Sequence, residues 1–451
     1  MEEAKTPQYQ PHNWVFYTHS VLVFSFCSLC YALVFFHQSA PAVVSESMSI
    51  EFKVPPASLT IFSSVFFWTY AIMQPFGGLL ADVMDPAYLI GSAAIVAASG
   101  CLICGISKSL TMAVIGRLIV GLGAAPTYVP VCKILTRWYP KRWYAIFGGL
   151  VLAIGGCGGI IAQAPLAAFA KSFGWRWAFI GVSGIGALMG ILVLLFVRLD
   201  PTKFGYAPVN PDTVVRLVDR SFSEMLTDLW NNFKIVTTKP VYYFIAVYAF
   251  SMDGSFYNLL GLWGGPYIRD VFPNFGDGKM LTSLSIAMIA GSLILPIASD
   301  VLKTRKWVLF AVASVYLIIS ILFILFDTYM SFSLMFLCMF LWGMCTGAAC
   351  SVYFPTVKEH YDASVGATAI GCTNIFAFMG GAVSQTISGI IISKYEMIGT
   401  KYPHKAYKNG LWLVIIIYSL SATVASLLIS EPEPVAEAAS EPSEDEAPKE
   451  I

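Results

Sequence analysis

Twelve apolar runs of bilayer-crossing length dominate this chain and leave few folds open to it. A helix needs about 20 mostly apolar residues to span a membrane. Runs of that kind occur at 14–36, 58–80, 88–106, 110–131, 145–169 and 177–197. After a polar gap they resume at 241–262, 281–298, 307–326, 329–353, 365–392 and 411–429. They lack the ten-residue alternation of a membrane barrel. The first is too long for a signal-peptide core and has no clear cleavage site near its end, so it is expected to remain as a helix. Composition agrees. Hydrophobic residues make up 57% and charged residues 12%, against about 45–50% and about 25% in soluble domains. The formal net charge is zero, which leaves no basic surface for nucleic acid.

Lysine and arginine in the loops set the expected orientation. With the N-terminus in the cytosol, sixteen fall on the cytosolic side, ten on the other, and only Arg117 lies inside a run. Both termini are therefore expected in the cytosol, in a plasma membrane or a lysosome- or vacuole-type membrane. The expected organisation is a cytosolic tail at 1–13, a six-helix bundle at 14–198, a cytosolic linker at 199–239, a second bundle at 240–430, and an acidic disordered tail at 431–451. Within the linker, Ser221-Phe222-Ser223-Glu224 is a capping-box pattern. Met225, Leu226, Leu229, Trp230 and Phe233 follow at helical spacing, which predicts a short amphipathic helix at the interface.

All ten cysteines lie in or beside the apolar runs. Cys27/Cys30 and Cys101/Cys104 have C-x-x-C spacing, but their neighbours are apolar and packing between helices is the favoured role. No metal or other cofactor is expected.

The two halves repeat weakly. Tyr128-Val129-Pro130-Val131-Cys132-Lys133 and Tyr353-Phe354-Pro355-Thr356-Val357-Lys358 share Y-x-P-x-x-K. Ala153-Ile154-Gly155 recurs as Ala369-Ile370-Gly371, and Asp82 and Asp300 close the second and eighth runs. Similar offsets in the same order predict a duplication, a known device of transporters.

These residues carry a resemblance. Twelve runs split six and six around a central loop resemble the major facilitator superfamily. Gly78-Leu79-Leu80-Ala81-Asp82 is similar to the start of that family's loop between spans two and three. Arg117 in Gly116-Arg117-Leu118-Ile119-Val120-Gly121-Leu122-Gly123 resembles its span-four arginine motif, and Gly155-Gly156-Cys157-Gly158-Gly159 its flexible fifth span. Where the family continues its loop with arginines, this chain has Val83-Met84-Asp85-Pro86. The resemblance implies an all-α membrane protein of two pseudo-symmetric six-helix bundles, with spans one, four, seven and ten around a cavity. The subfamily stays open between the lysosomal dipeptide-transporter and sugar-phosphate-permease-like branches. A first span without basic residues argues against an organophosphate.

An ionisable group inside a bilayer costs a few kcal/mol and tends to face a cavity or a partner. Asp253 lies near the middle of the seventh run, where it could exchange protons or hold an ammonium. Its bland alternative is a structural carboxylate bonded to Tyr248, Ser251 or Ser255. Arg117 offers a planar fork for a carboxylate, or a brace on neighbouring backbone carbonyls. His37 stands at the outer end of the first run. Tyr31, Tyr128, Tyr257, Tyr353, Gln163 and Asn374 are further candidates for solute contact. Asp82, Asp300, Gly78 and Arg305 are candidates for gating or latching.

Without a catalytic set or a phosphate-binding loop, the expected function is secondary transport by alternating access, not enzymatic. The solute would be small and polar: an organic anion, an amino acid or a small peptide. Proton coupling is one reading; an uncoupled uniporter and a transport-inactive nutrient sensor are alternatives. The expected partners are the solute, the lipid bilayer and protons, with the monomer as the working unit.

Overall fold

The computed structural model describes residues 9–210 and 222–431. Ser221 and the acidic tail beyond Glu431 lie outside that set, as does the side chain of Asp82. Thirteen helical elements follow in order. They are α1 (Trp14–Phe52), α2 (Thr60–Val83), α3 (Pro86–Ile106), α4 (Leu110–Trp138), α5 (Lys141–Phe173) and α6 (Trp175–Phe196). Next come α7 (Phe222–Thr238), α8 (240–271), α9 (Asp277–Leu302), α10 (Lys306–Phe326), α11 (Phe332–Glu359), α12 (Ala363–Ile392) and α13 (His404–Leu428). Among the described residues only isolated β-bridges occur. Among the described residues eleven helices are long and apolar enough to cross a membrane. The helix α8 matches them in length, but its tyrosines, serines and Asp253 make it less apolar.

Polar residues start and stop these helices where their apolar stretches begin and end. The Asn13 side chain accepts from the Val15 and Phe16 N–H groups at the start of α1. Ser109 and Ser331 do the same for α4 and α11. Each satisfies donors that the first turn leaves without partners. Packing is inverted relative to a soluble protein. Ile318, Leu325, Ile417 and Leu420 face outward, while Ser320, Asp327, Thr346 and Ser419 are buried. In lipid the outer face is solvated by hydrocarbon, so polar groups collect between helices.

Three spans differ from their apolar runs. The helix α1 continues sixteen residues beyond Phe36, through Pro41, to Phe52. The segment 38–49 is rich in serine and alanine rather than Leu and Phe, so hydropathy underrates it. His37 is therefore not at a wet boundary but inside the helix and buried. The helix α8 passes through a π-helical turn at Leu259–Trp263 and continues to Val271. The helix α13 starts at His404, ahead of a second π turn at Lys408–Trp412. Such turns cluster at functional sites.

The fold is two pseudo-symmetric six-helix bundles, α1–α6 and α8–α13. Ser63 Oγ donates to the Gly261 carbonyl at 3.3 Å, and Arg269 pairs with Glu46 at 2.9 Å. Phe67 stacks on Phe378 and packs at a tilt against Tyr257, and Tyr70 packs at a tilt against Phe378. These contacts join the bundles in the half of the molecule away from the chain ends, which places the closed face opposite the termini face.

Candidate functional site

The helix α8 carries Asp253 midway along its length, buried at 4% exposure. Two donors from α11 hold it. Tyr353 Oη donates to Asp253 Oδ2 at 2.7 Å, and Cys350 Sγ donates to Oδ1 at 3.1 Å. Tyr353 and Cys350 sit three residues apart, so both lie on the same face of α11. The expected alternative partners do not reach the carboxylate. Tyr248 donates to the Leu309 carbonyl and Ser255 to the Ser251 carbonyl. For Ser251 no bond to Asp253 is formed either. The local helix geometry explains this: serines on a helix bond back to their own preceding turn.

One turn beyond Asp253, Tyr257 begins an aromatic wall that crosses between the bundles. Its ring lies 4.8 Å from Phe67 and 5.5 Å from Phe378. Tyr70 lies 4.2 Å from Phe378. In the first bundle Tyr31 and Tyr128 face each other with ring centroids 5.0 Å apart. Asn374 is half-buried on α12, one turn from Phe378 toward the termini face. The structure thus brings Tyr353 to Asp253 and Tyr31 to Tyr128, with Tyr257 in the aromatic wall between the bundles; it gives Asn374 no contact with them among the described residues. Cys350, Tyr70, Phe67 and Phe378 join them without having been singled out from sequence. The Cys350–Tyr353 spacing was the available signal; nothing marked the phenylalanines among so many.

Arg117 and Gln163 stand apart. Arg117 is fully buried in the first bundle. Its Nε donates to the Phe62 carbonyl at 3.3 Å, and its guanidinium lies over the Phe62 and Phe66 rings at 5.2 and 4.8 Å. Nη1 and Nη2 make no hydrogen bond among the described residues. The arginine and Asp253 thus hold separate places, on opposite bundles. Gln163 is fully buried at the break in α5 near the closed face, and neither of its side-chain polar atoms has a partner among the described residues.

On the termini face the second bundle carries a charge cluster. Arg305 pairs with Asp300 at 2.7 Å and with Glu359 at 3.0 Å. The hydrogen bond that Arg305 donates to Glu359, ahead of the one it donates to Asp300, raises its pKa above the ordinary value, so this arginine stays charged. Glu431 accepts from the Arg305 and Lys306 N–H groups and from Thr304 Oγ1, capping α10. In the first bundle Asp85 plays the comparable part. It accepts from the Ala87 and Leu199 N–H groups and pairs with Lys203 at 3.1 Å. Asp82 ends α2, its side chain outside the described set, and a side chain built at Gly78 would meet open space. Among the described residues no group of histidines, cysteines and acids could hold a metal. Cys27, Cys30, Cys101 and Cys104 are buried and unbridged.

Known proteins share this fold. The family model described as Major Facilitator Superfamily matches residues 25–385 and 272–450. A fungal relative, the MFS-type transporter phomT of Diaporthe leptostromiformis, is 28% identical over 34% of this chain and 25% of its own length. The probable sulfoacetate transporter SauU of Cupriavidus necator is 22% identical over 39% of this chain and 41% of its own. The matches thus span a quarter to two-fifths of those relatives. In fold, a bacterial homologue of the human lysosomal transporter Spinster, solved inward-facing and unoccupied, superposes with a TM-score of 0.70. It covers 91% of this chain and 96% of its own, at 17% identity. With a family model matching from the first span into the eleventh, and again through the second bundle, this chain belongs to the Major Facilitator Superfamily.

Proposed function

We propose that this protein is a proton-coupled secondary transporter of a small polar organic solute, working by alternating access. The observation that carries this is Asp253: a carboxylate midway across the membrane, held by Tyr353 and Cys350, beside the seam where the bundles part. A carboxylate in that position can load a proton from one side and release it to the other as the bundles rock. Tyr31, Tyr128, Tyr257 and Asn374 supply hydroxyl and amide contacts for a polar solute between aromatic walls. The named relatives are transporters, and one carries the name of an organic-anion carrier, which favours a carboxylated solute within the wider class. Arg117 we assign to bracing α4 on α2 rather than to solute, because its Nε engages backbone and its plane is covered by Phe62 and Phe66. Arg305 with Asp300 and Glu359 forms a latch on the termini face.

With both termini in the cytosol, the face clasped by Glu46 and Arg269 is the outer one. A monomer contains the whole site. The test is uptake of a solute panel into proteoliposomes holding the purified protein, with and without an inward proton gradient. The proposal expects at least one carboxylated solute to accumulate only with the gradient. Uptake that equilibrates identically in both conditions would make the protein an uncoupled uniporter, and no uptake of any solute would favour a sensor.

A further inference from the structure

One stripe of α2 runs along the seam between the bundles. Thr60, Ser63, Phe67 and Tyr70 follow at helical spacing and so share a face, and all four are buried. Each meets the second bundle. A Cβ built at Gly389 of α12 would lie 2.2 Å from Thr60 Oγ1. Ser63 Oγ donates to the Gly261 carbonyl of α8 at 3.3 Å. Tyr70 packs on Phe378 of α12 with ring centroids 4.2 Å apart. In return, Phe378 and Ala382 pack into the core of the first bundle.

Within this stripe Phe67 is fully buried and occupies a ring-sized slot in the second bundle. Tyr257 and Phe378 form its walls, with ring centroids 4.8 and 6.3 Å from that of Phe67. Two glycines form its floor. A Cβ built at Gly381 would lie 3.4 Å from Phe67 Cδ1, and one at Gly261 would lie 3.6 Å from Cε2. The ring therefore rests against bare backbone on that side. Gly261 belongs to the π turn of α8, the kind of helix irregularity that is frequent at functional sites. Tyr257 stands one turn beyond Asp253 along α8, so Phe67 crosses the seam between that carboxylate and the face clasped by Glu46 and Arg269. Phenyl rings offer water no hydrogen bonds, and apolar constrictions of this kind close a path by excluding it.

We propose that Phe67 is the bolt of a gate: seated in its slot, it seals Asp253 from the clasped face, and it must leave the slot before anything entering from that face reaches Asp253. The gate rests on the alternating-access reading above and names the residue that holds one of its two states. It does not rest on proton coupling.

Access to a native thiol tests it. Cys350 bonds to Asp253, so its labelling reports an open path to the site. Intact cells carrying the protein in their plasma membrane are treated with membrane-impermeant trimethylammonioethyl methanethiosulfonate. The reagent is applied from the side on which Lys401→Cys reacts, and mass spectrometry follows the modified fraction at position 350. An aromatic contact shifts an equilibrium by up to about tenfold, so Cys350 in Phe67→Ala should react about tenfold faster than in the parent. Phe67→Leu, a milder change for folding, should give a smaller increase. Gly381→Ala leaves Phe67 in place but puts a methyl group on the floor of the slot, and it too should speed the labelling. Phe62→Leu controls for general loosening, because Phe62 is buried in the first bundle against Arg117 and Phe179.

Labelling at the parent's rate in either Phe67→Leu or Gly381→Ala would overturn the bolt. An equal increase in Phe62→Leu would overturn it as well. The measurement involves no proton gradient and no flux. Faster labelling would stand even if transport proved uncoupled, and its absence would leave the role of Asp253 in coupling untouched.

Discussion

At the scale of single residues, two buried charges have opposite fates. Asp253 is met by two side-chain donors from another helix, whereas Arg117 is met by a backbone carbonyl and two rings. The first arrangement can change with protonation; the second holds one geometry. Replacing Arg117 by Ala should therefore lower the melting temperature of the ligand-free protein. Lys at this position should do nearly as badly, because it lacks the planar fork. Losing one partner of a buried polar contact costs about 1–3 kcal/mol. A normal melting curve for both variants, read by thermal-shift fluorescence, would remove the bracing role. Tyr353→Phe takes the shorter of the two bonds from Asp253. It should reduce gradient-driven accumulation while leaving the protein folded, and a variant indistinguishable from the parent would separate Tyr353 from coupling.

At the scale of elements, the helices explain what the sequence could and could not reveal. The spans stand out because hydrocarbon demands long apolar stretches. Their ends do not, where packing replaces lipid contact. The segment 38–49 of α1 is too polar for a run but is buried against α8, as the 2.2 Å limit at Gly265 attests. Glu46 lies on that extension, so a helix taken to end at Phe36 hides the clasp with Arg269. The tyrosines of the duplicated Y-x-P-x-x-K each face a neighbouring helix. Tyr128 faces Tyr31 across α4 and α1, and Tyr353 faces Asp253 across α11 and α8. Glycines in α5 serve close packing: a Cβ at Gly158 would lie 1.9 Å from the Ala32 carbonyl. Gly265→Val should then keep the outer face from closing. Paired spin labels on α1 and α8 at that face should report a longer distance than in the parent, and an unchanged distance would contradict the contact.

At the scale of the whole molecule, two six-helix bundles meet along a seam that Glu46 and Arg269 cross away from the termini, and the termini face carries ionic fastenings within each bundle. On the termini face Asp85 ties the start of α3 to the strand of chain after α6, and Glu431 ties the start of α10 to the chain after α13. The two carboxylates come from opposite partners of equivalent helix pairs, which is why no repeat in sequence exposed the match. The sidedness assigned here predicts that single cysteines at Ser221 and at Lys401 react from opposite sides of a sealed vesicle. Reaction of both from one side would contradict the topology. The central claim is that Asp253 couples solute movement to protons, and Asp253→Asn tests it most directly in proteoliposomes. With a carboxylated solute that the parent accumulates, the variant should lose uptake driven by the proton gradient yet still exchange labelled for unlabelled solute across the membrane. Accumulation at the parent's level in Asp253→Asn would contradict the account.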